Sequence, residues 1–136
     1  MATLSATFEL TPEPGAPSHA RRILGDLLTA WRFDAERRAD VMVLVTEVVS
    51  NAVDHAGADD GGDVVLAVDV TASDTWLRVG LADGSTVRPI VRQLDPRAPR
   101  GRGMQLIAAL ADRWGSHDQD GGKRVWFEVG ADPSSA

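Results

Sequence analysis

The 136-residue sequence contains no cysteine. That excludes a disulfide framework, a thiolate zinc site and a cysteine nucleophile. Its three histidines, His19, His55 and His117, are never paired at metal-ligand spacing, and no Ser, His and Asp follow an order suited to acyl transfer. No apolar run approaches the ~18 to 20 residues of a membrane span. The opening MATLSATFEL lacks the basic start and apolar centre of a secretory signal. A soluble, cytoplasmic protein with no membrane contact is the expectation. Lysine is also nearly absent, one against thirteen arginines, a bias read as genomic base composition.

With 43% hydrophobic and 25% charged residues, the chain fits one domain over 1–136, without repeats or a second core. A net charge of −6 argues against direct nucleic-acid binding, which requires a basic face. The charge is uneven. Between Gly84 and Gly103, Arg88, Arg92, Arg97, Arg100 and Arg102 oppose only Asp95, so this stretch is +4 on a body of −10. Such a segment suits an anionic ligand or an acidic partner, and equally a solvated loop.

Leu4, Ala6, Phe8 and Leu10 alternate, which predicts a half-buried edge strand. After the turn TPEPGAP, Ile23, Leu24, Leu27, Leu28 and Trp31 recur at helical spacing, predicting a helix over about 17–31. A second helix is predicted from Ala35 to Ala56, its apolar arc of Val41, Leu44, Val45, Val48, Val49, Ala52 and Val53 suited to packing on a sheet. Val64 to Val70 and Trp76 to Leu81 read as a hairpin turning at Ala72-Ser73-Asp74. Asp83 to Arg102 lacks periodicity, carries Pro89, Pro96 and Pro99, and has the length of a functional or a disordered loop. MQLIAALADRW then predicts a third helix, followed by closing strands from Trp114 to Asp118 and Lys123 to Val129. The four tryptophans read as core or boundary packing.

Three features carry chemistry. Glu47, Asn51 and His55 stand four apart, so they form a ridge on one edge of the second helix. A carboxylate beside a carboxamide suits a hard cation plus a proton acceptor, although a solvated polar stripe has the same spacing. Asp83-Gly84-Ser85 follows a strand, where a carboxylate can accept a hydrogen bond from a buried ligand amine or simply make a turn. Gly101-Arg102-Gly103 precedes a helix, where backbone N–H groups can meet phosphate oxygens closely. Each is weak alone; their order, with a basic proline-containing loop between the last two, is more specific.

Together they resemble a known family. EVVSNAVDHA (Glu47 to Ala56), LADGS (Leu81 to Ser85) and GRGMQLIAALADRWG (Gly101 to Gly115) are similar to the N box and the two glycine boxes of Bergerat-fold (GHKL) ATP-binding domains, and most of all to anti-sigma-factor serine kinases of actinobacterial type. The resemblance covers nearly the whole chain. It implies an α/β two-layer sandwich with a mixed, mainly antiparallel sheet, helices on one face and an ATP lid over about 84–102. It also implies roles: Asn51 for magnesium, Glu47 as general base, and Asp83 as acceptor for the adenine amine. His55, Gly84, Ser85, Arg100, Gly101, Arg102, Gly103 and Met104 would complete the nucleotide contacts. The sequence departs from the pattern at Asp54, at Ser85 in a glycine position, and at Arg124 where Gly-Lys-Thr is common before the last strand.

The function so implied is an ATP- and Mg2+-dependent anti-sigma factor, a serine/threonine kinase toward a STAS-type anti-anti-sigma protein. Its partners would be that antagonist, a sigma factor and a second copy in a homodimer. The alternative is a nucleotide-gated binding module with little or no phosphotransfer.

Overall fold

Alternation along the strands decides which side of the sheet is buried. The computed structural model describes residues 3–56, 65–73, 75–83, 107–119 and 122–130. Their elements are β1 (Leu4–Leu10), α1 (Ala16–Ala30), α2 (Arg38–Ala56), β2 (Leu66–Ala72), β3 (Leu77–Asp83), β4 (Arg113–Gln119) and β5 (Gly122–Val129). A helical turn at 107–110 precedes β4. The strands form one sheet in the order β1-β2-β3-β5-β4, and all four pairings are antiparallel. The expected two-layer α/β sandwich is therefore present, with β1 at an edge.

One sheet face is apolar in every central strand. Leu66, Val68, Val70 and Ala72 of β2 stand beside Leu81, Val79 and Leu77 of β3 and Phe127 and Val129 of β5, all buried. Ala20, Leu24 and Leu28 of α1, one turn apart, and Val41, Leu44, Val45, Val48, Val49 and Ala52 of α2 complete this core. The two helices pack together, α1 reaching β1 and α2 lying along β3 and β5. Each fully buried leucine contributes about 1.5–3 kcal/mol, so Leu24→Ala at the centre would cost roughly 2–5 kcal/mol.

The end of α1 is set by backbone geometry. Phe33 N–H donates to Leu28 O at 2.9 Å and Arg32 N–H to Thr29 O at 3.2 Å, with Arg32 at φ 57°. This is a Schellman closure in which a non-glycine residue occupies the left-handed position. The next helix starts three residues later than the apolar pattern predicts. Asp34 accepts the Glu36 N–H at 3.0 Å, and this local turn competes with helix over 35–37.

Two further boundaries differ. Ala72 is not in the turn but pairs with Leu77 and is buried, and Ser73 N–H closes the hairpin by donating to Trp76 O at 2.8 Å. Arg113 and Trp114 are not the end of the third helix, because both already pair in β4, with Glu128 and Phe127. Pairing energy along β5 outweighs the helical pattern there. Gly130 ends β5 at φ 83°, and a Cβ there would stand 2.1 Å from the Thr75 carbonyl oxygen. Only glycine fits this approach.

Candidate nucleotide site

The site is built from α2 outward. Val48, Val49 and Ala52 bind the helix to the core, which leaves Glu47 and Asn51 half-buried one turn apart at its margin. Among the described residues, neither has a hydrogen-bond or ion-pair partner for its side chain. A half-buried carboxylate and carboxamide in this state are available to a ligand, and both offer the hard oxygen atoms that magnesium takes. One carboxamide oxygen suffices for a Mg2+ whose other ligands are phosphate and water, so the donor set fits. Asp54, the acid that departs from the family pattern, is exposed.

The course of α2 fixes which end of the sheet these groups approach. Asp112 accepts from Arg37 Nη2 at 3.0 Å and from Gly130 N–H at 2.6 Å, which ties the approach to α2 to the end of the sheet where β5 finishes. Asp40 at the start of α2 approaches Arg37 at 3.7 Å. Running along β3 and β5 for 19 residues, about 28 Å, α2 carries Asn51 toward the opposite end. There β3 finishes at Asp83, which stands in register with Leu66 on one side and Lys123 on the other. Two of the three sequence features, far apart in the chain, thus approach one end of the sandwich.

His55 lies in the last turn of α2, but its side chain, like that of Asp83, is outside the described set. Gly84, Ser85, Arg100, Gly101, Arg102, Gly103 and Met104, and with them the lid over 84–102, lie outside the described residues altogether. Ile107 is fully buried, with Leu110 and Ala111 packed on the same core, so the helical turn within the second glycine box belongs to the helix layer.

The departure at Arg124 is turned away from this side. Arg124 donates to Asp69 Oδ1 at 2.6 Å and Oδ2 at 2.9 Å, on the sheet face opposite the helices. Its neighbour Lys123 takes the register position beside Asp83. Bidentate pairing holds the guanidinium flat and raises its pKa, chiefly through the Asp69 hydrogen bond.

Residue patterns along the chain did not reveal what lies on that outer face. Glu128, 1% exposed, is bound by Arg78 of β3 and approached by Arg113 of β4 at 3.5 Å. Both guanidinium groups stand 5.8 Å from the centre of the Trp126 ring. The only sequence signal was the alternation of Arg78 with Val79 and of Glu128 with Phe127, and it becomes legible only once register is known. Trp31 and Trp126 are half-buried and Trp76 is buried, as expected of packing residues, while Trp114 is 38% exposed.

The family model of the histidine kinase-like ATPase domain matches residues 10–129. The chain belongs to this family. Solved structures of similar fold include the RsbU and RsbW domains of Rv1364c from Mycobacterium tuberculosis, at 21% identity and TM-score 0.65, where the match covers 93% of this chain and 32% of that one. This chain thus spans about a third of that protein. The SiaB–SiaC complex from Pseudomonas aeruginosa matches at 14% identity and TM-score 0.62, over 91% of this chain and 87% of that one. The histidine kinase domain of the blue-light activated kinase EL346 from Erythrobacter litoralis matches at 18% identity and TM-score 0.57, over 84% and 60%. Among curated proteins none matches the sequence. A histidine kinase-like ATPase domain is an ATP-binding unit, and the sandwich with its α2 ridge is the GHKL fold. No described helix of this family member is long and apolar enough to cross a membrane.

Proposed function

We propose that this protein is an ATP-dependent serine/threonine kinase that also restrains a sigma factor, and that its phosphoacceptor is a serine on a small anti-anti-sigma protein. The observation that carries the reading is the pair Glu47 and Asn51, half-buried one turn apart and without side-chain partners among the described residues, on a chain of the histidine kinase-like ATPase family. The likeness to the RsbW and SiaB folds supports it.

In this reading Asp83 accepts a hydrogen bond from the adenine amino group at the end of β3. Asn51 would hold a magnesium ion, which would supply charge neutralisation for the phosphates. Glu47 takes the proton of the incoming serine hydroxyl, whose oxygen then forms the new bond to the γ-phosphorus while ADP leaves. The arginines of the lid, Arg100 and Arg102 among them, and the N–H groups near Gly101 and Gly103 meet the phosphates. The setting is the cytoplasm.

Incubating the purified chain with magnesium, labelled ATP and candidate antagonists, followed by phosphosite mapping, tests this. Phosphoserine on an antagonist supports the kinase. Nucleotide binding without transfer to any of them replaces it with the nucleotide-gated binding module.

A further inference from the structure

The two edges of the sheet are finished differently. At one edge β1 packs Phe8 and Leu10 against the core, and its outward side carries Ser5, Thr7 and the acid Glu9. At the other edge β4 pairs with β5 along its whole length and, among the described residues, with no other strand. Both faces of β4 are open. On the core side, beside the buried Phe127, Trp114 is 38% exposed, and Ser116 two residues on is exposed as well. On the outer side Arg113 and His117 are exposed. An edge strand uncovered in this way offers a row of backbone N–H and C=O groups for pairing.

The outer side of β4 also carries unbalanced charge. Arg78 and Arg113 share one carboxylate, that of Glu128, so their row is left with one positive charge. Arg113 is the looser of the two, 3.5 Å from Oε2 with a side chain 60% exposed, so turning it toward a new carboxylate costs little. His117 stands in register with Arg124, whose guanidinium Asp69 already engages, and its imidazole donates an N–H in either protonation state. Between them is Gly115, where a Cβ would meet the Trp126 ring at 2.8 Å. The indole of β5 thus reaches across to β4 and fills the place of the side chain that Gly115 lacks. Along the strand, the outer side offers a guanidinium, an indole and an imidazole, with about 14 Å between the first and the last.

We propose that β4 receives an extended segment of a partner protein as a further strand of the sheet, and that this segment carries acids at the two positions facing Arg113 and His117 with apolar residues between them. Backbone pairing supplies the affinity, and the alternating side chains supply the choice of partner. The acids meet the loosely held Arg113 and the His117 N–H. The outward residue between them lies against Trp126, and the inward residues cover Trp114. The outward side of β1, with Glu9 and two hydroxyls, offers no cation to such a segment, so charge directs it to the β4 edge. The pattern reads the same in both directions, so parallel and antiparallel addition use the same contacts. None of these residues is assigned to the nucleotide site, and the inference stands apart from the kinase reading.

The experiment is NMR titration of the isotope-labelled full chain, at low salt, with the acetylated and amidated peptide Thr-Glu-Val-Leu-Val-Glu-Thr, beside a control peptide in which both glutamates are lysine. A short unstructured strand must be ordered on binding, so a Kd of the order of hundreds of micromolar is expected. The acidic peptide should shift alternate amides of β4, slow their exchange with solvent, and shift the indole N–H signals of Trp114 and Trp126. The lysine peptide should bind at least about tenfold more weakly, and Arg113→Ala combined with His117→Glu should weaken the acidic peptide by about tenfold. The comparison of the two peptides on the native chain stands even where the double variant is unstable. No binding of the acidic peptide at about 2 mM, some tenfold above the expected Kd, overturns the inference. So do equal binding of the two peptides, shifts confined to other strands or to the helices, and a folded double variant that binds as tightly as the native chain. The same β4 shifts on concentrating the chain without peptide would give the edge to a second copy and overturn it as well. Nucleotide titration of the same samples reports on the ATP site separately.

Discussion

Asp112 Oδ2 lies 3.0 Å from Arg37 Nη2, and through that contact the segment leading into α2 is tied to the end of β5, whose Gly130 N–H reaches the same oxygen at 2.6 Å. The Gly130 N–H, followed by Arg37, holds the Asp112 carboxyl below its ordinary value of 3.8, against an opposing effect of burial. A depressed folded-state value means that the contribution to stability is complete above the unfolded-state value. It is lost as pH falls through the folded one. Solvent screens a side chain that is 49% exposed, so urea unfolding of the native chain and Asp112→Ala should differ by less than about 1 kcal/mol from pH 5 to 7, a gap that closes below about pH 4. A gap independent of pH would show that the carboxylate charge is not what is lost.

The buried Glu128 depends unequally on its two arginines. Arg78 binds Oε1 through Nε at 2.8 Å and through Nη2, whereas Arg113 reaches Oε2 only at 3.5 Å from a side chain 60% exposed. Arg78→Ala should destabilise by roughly 2–3 kcal/mol, because it leaves a buried carboxylate without its close partner. Arg113→Ala should cost less than about 1 kcal/mol, since solvent screens that contact. Equal losses in thermal or urea unfolding would contradict this ranking.

Arg32 occupies the left-handed closing position after α1 and its side chain is exposed. Arg32→Gly should stabilise the chain by roughly 0.5–1 kcal/mol, the relief of backbone strain exceeding the added freedom of the unfolded glycine. A lower unfolding midpoint would mean that the side chain has an interaction worth more than the strain.

Glu47 and Asn51, one turn apart, should fail differently when changed. Asn51→Ala should weaken magnesium-dependent nucleotide binding, and Glu47→Ala should bind nucleotide nearly as well while slowing phosphoryl transfer by ~10² or more. Calorimetry beside single-turnover transfer separates the two. Transfer at the native rate by Glu47→Ala would remove it as the base. Asp83→Asn should lower nucleotide affinity by about 1–3 kcal/mol, the cost of an adenine amine left without its acceptor.

The strands and helices could be located in the sequence because periodicity is a local property. Leu66, Val68 and Val70 alternate, and Leu24 and Leu28 recur, whatever the chain does elsewhere. The α2 ridge was legible for the same reason, since four-residue spacing alone puts Glu47 beside Asn51. Boundaries were less so: Asp34 takes the Glu36 N–H and delays α2, and Arg113 and Trp114 yield to pairing with β5.

The sequence by itself determined which residues are apolar, which are capable of chemistry, and how they are spaced along each element. Tertiary structure decided everything that depends on register and partner. It turned Arg124 toward Asp69 and away from the side of Asp83, and brought Arg78, Glu128 and Arg113 from three strands into one row. It also aimed α2 so that Asn51 approaches the end of β3. Such contacts join residues as many as 75 positions apart, where no local pattern reaches and only the closing of the fold sets which side chains meet.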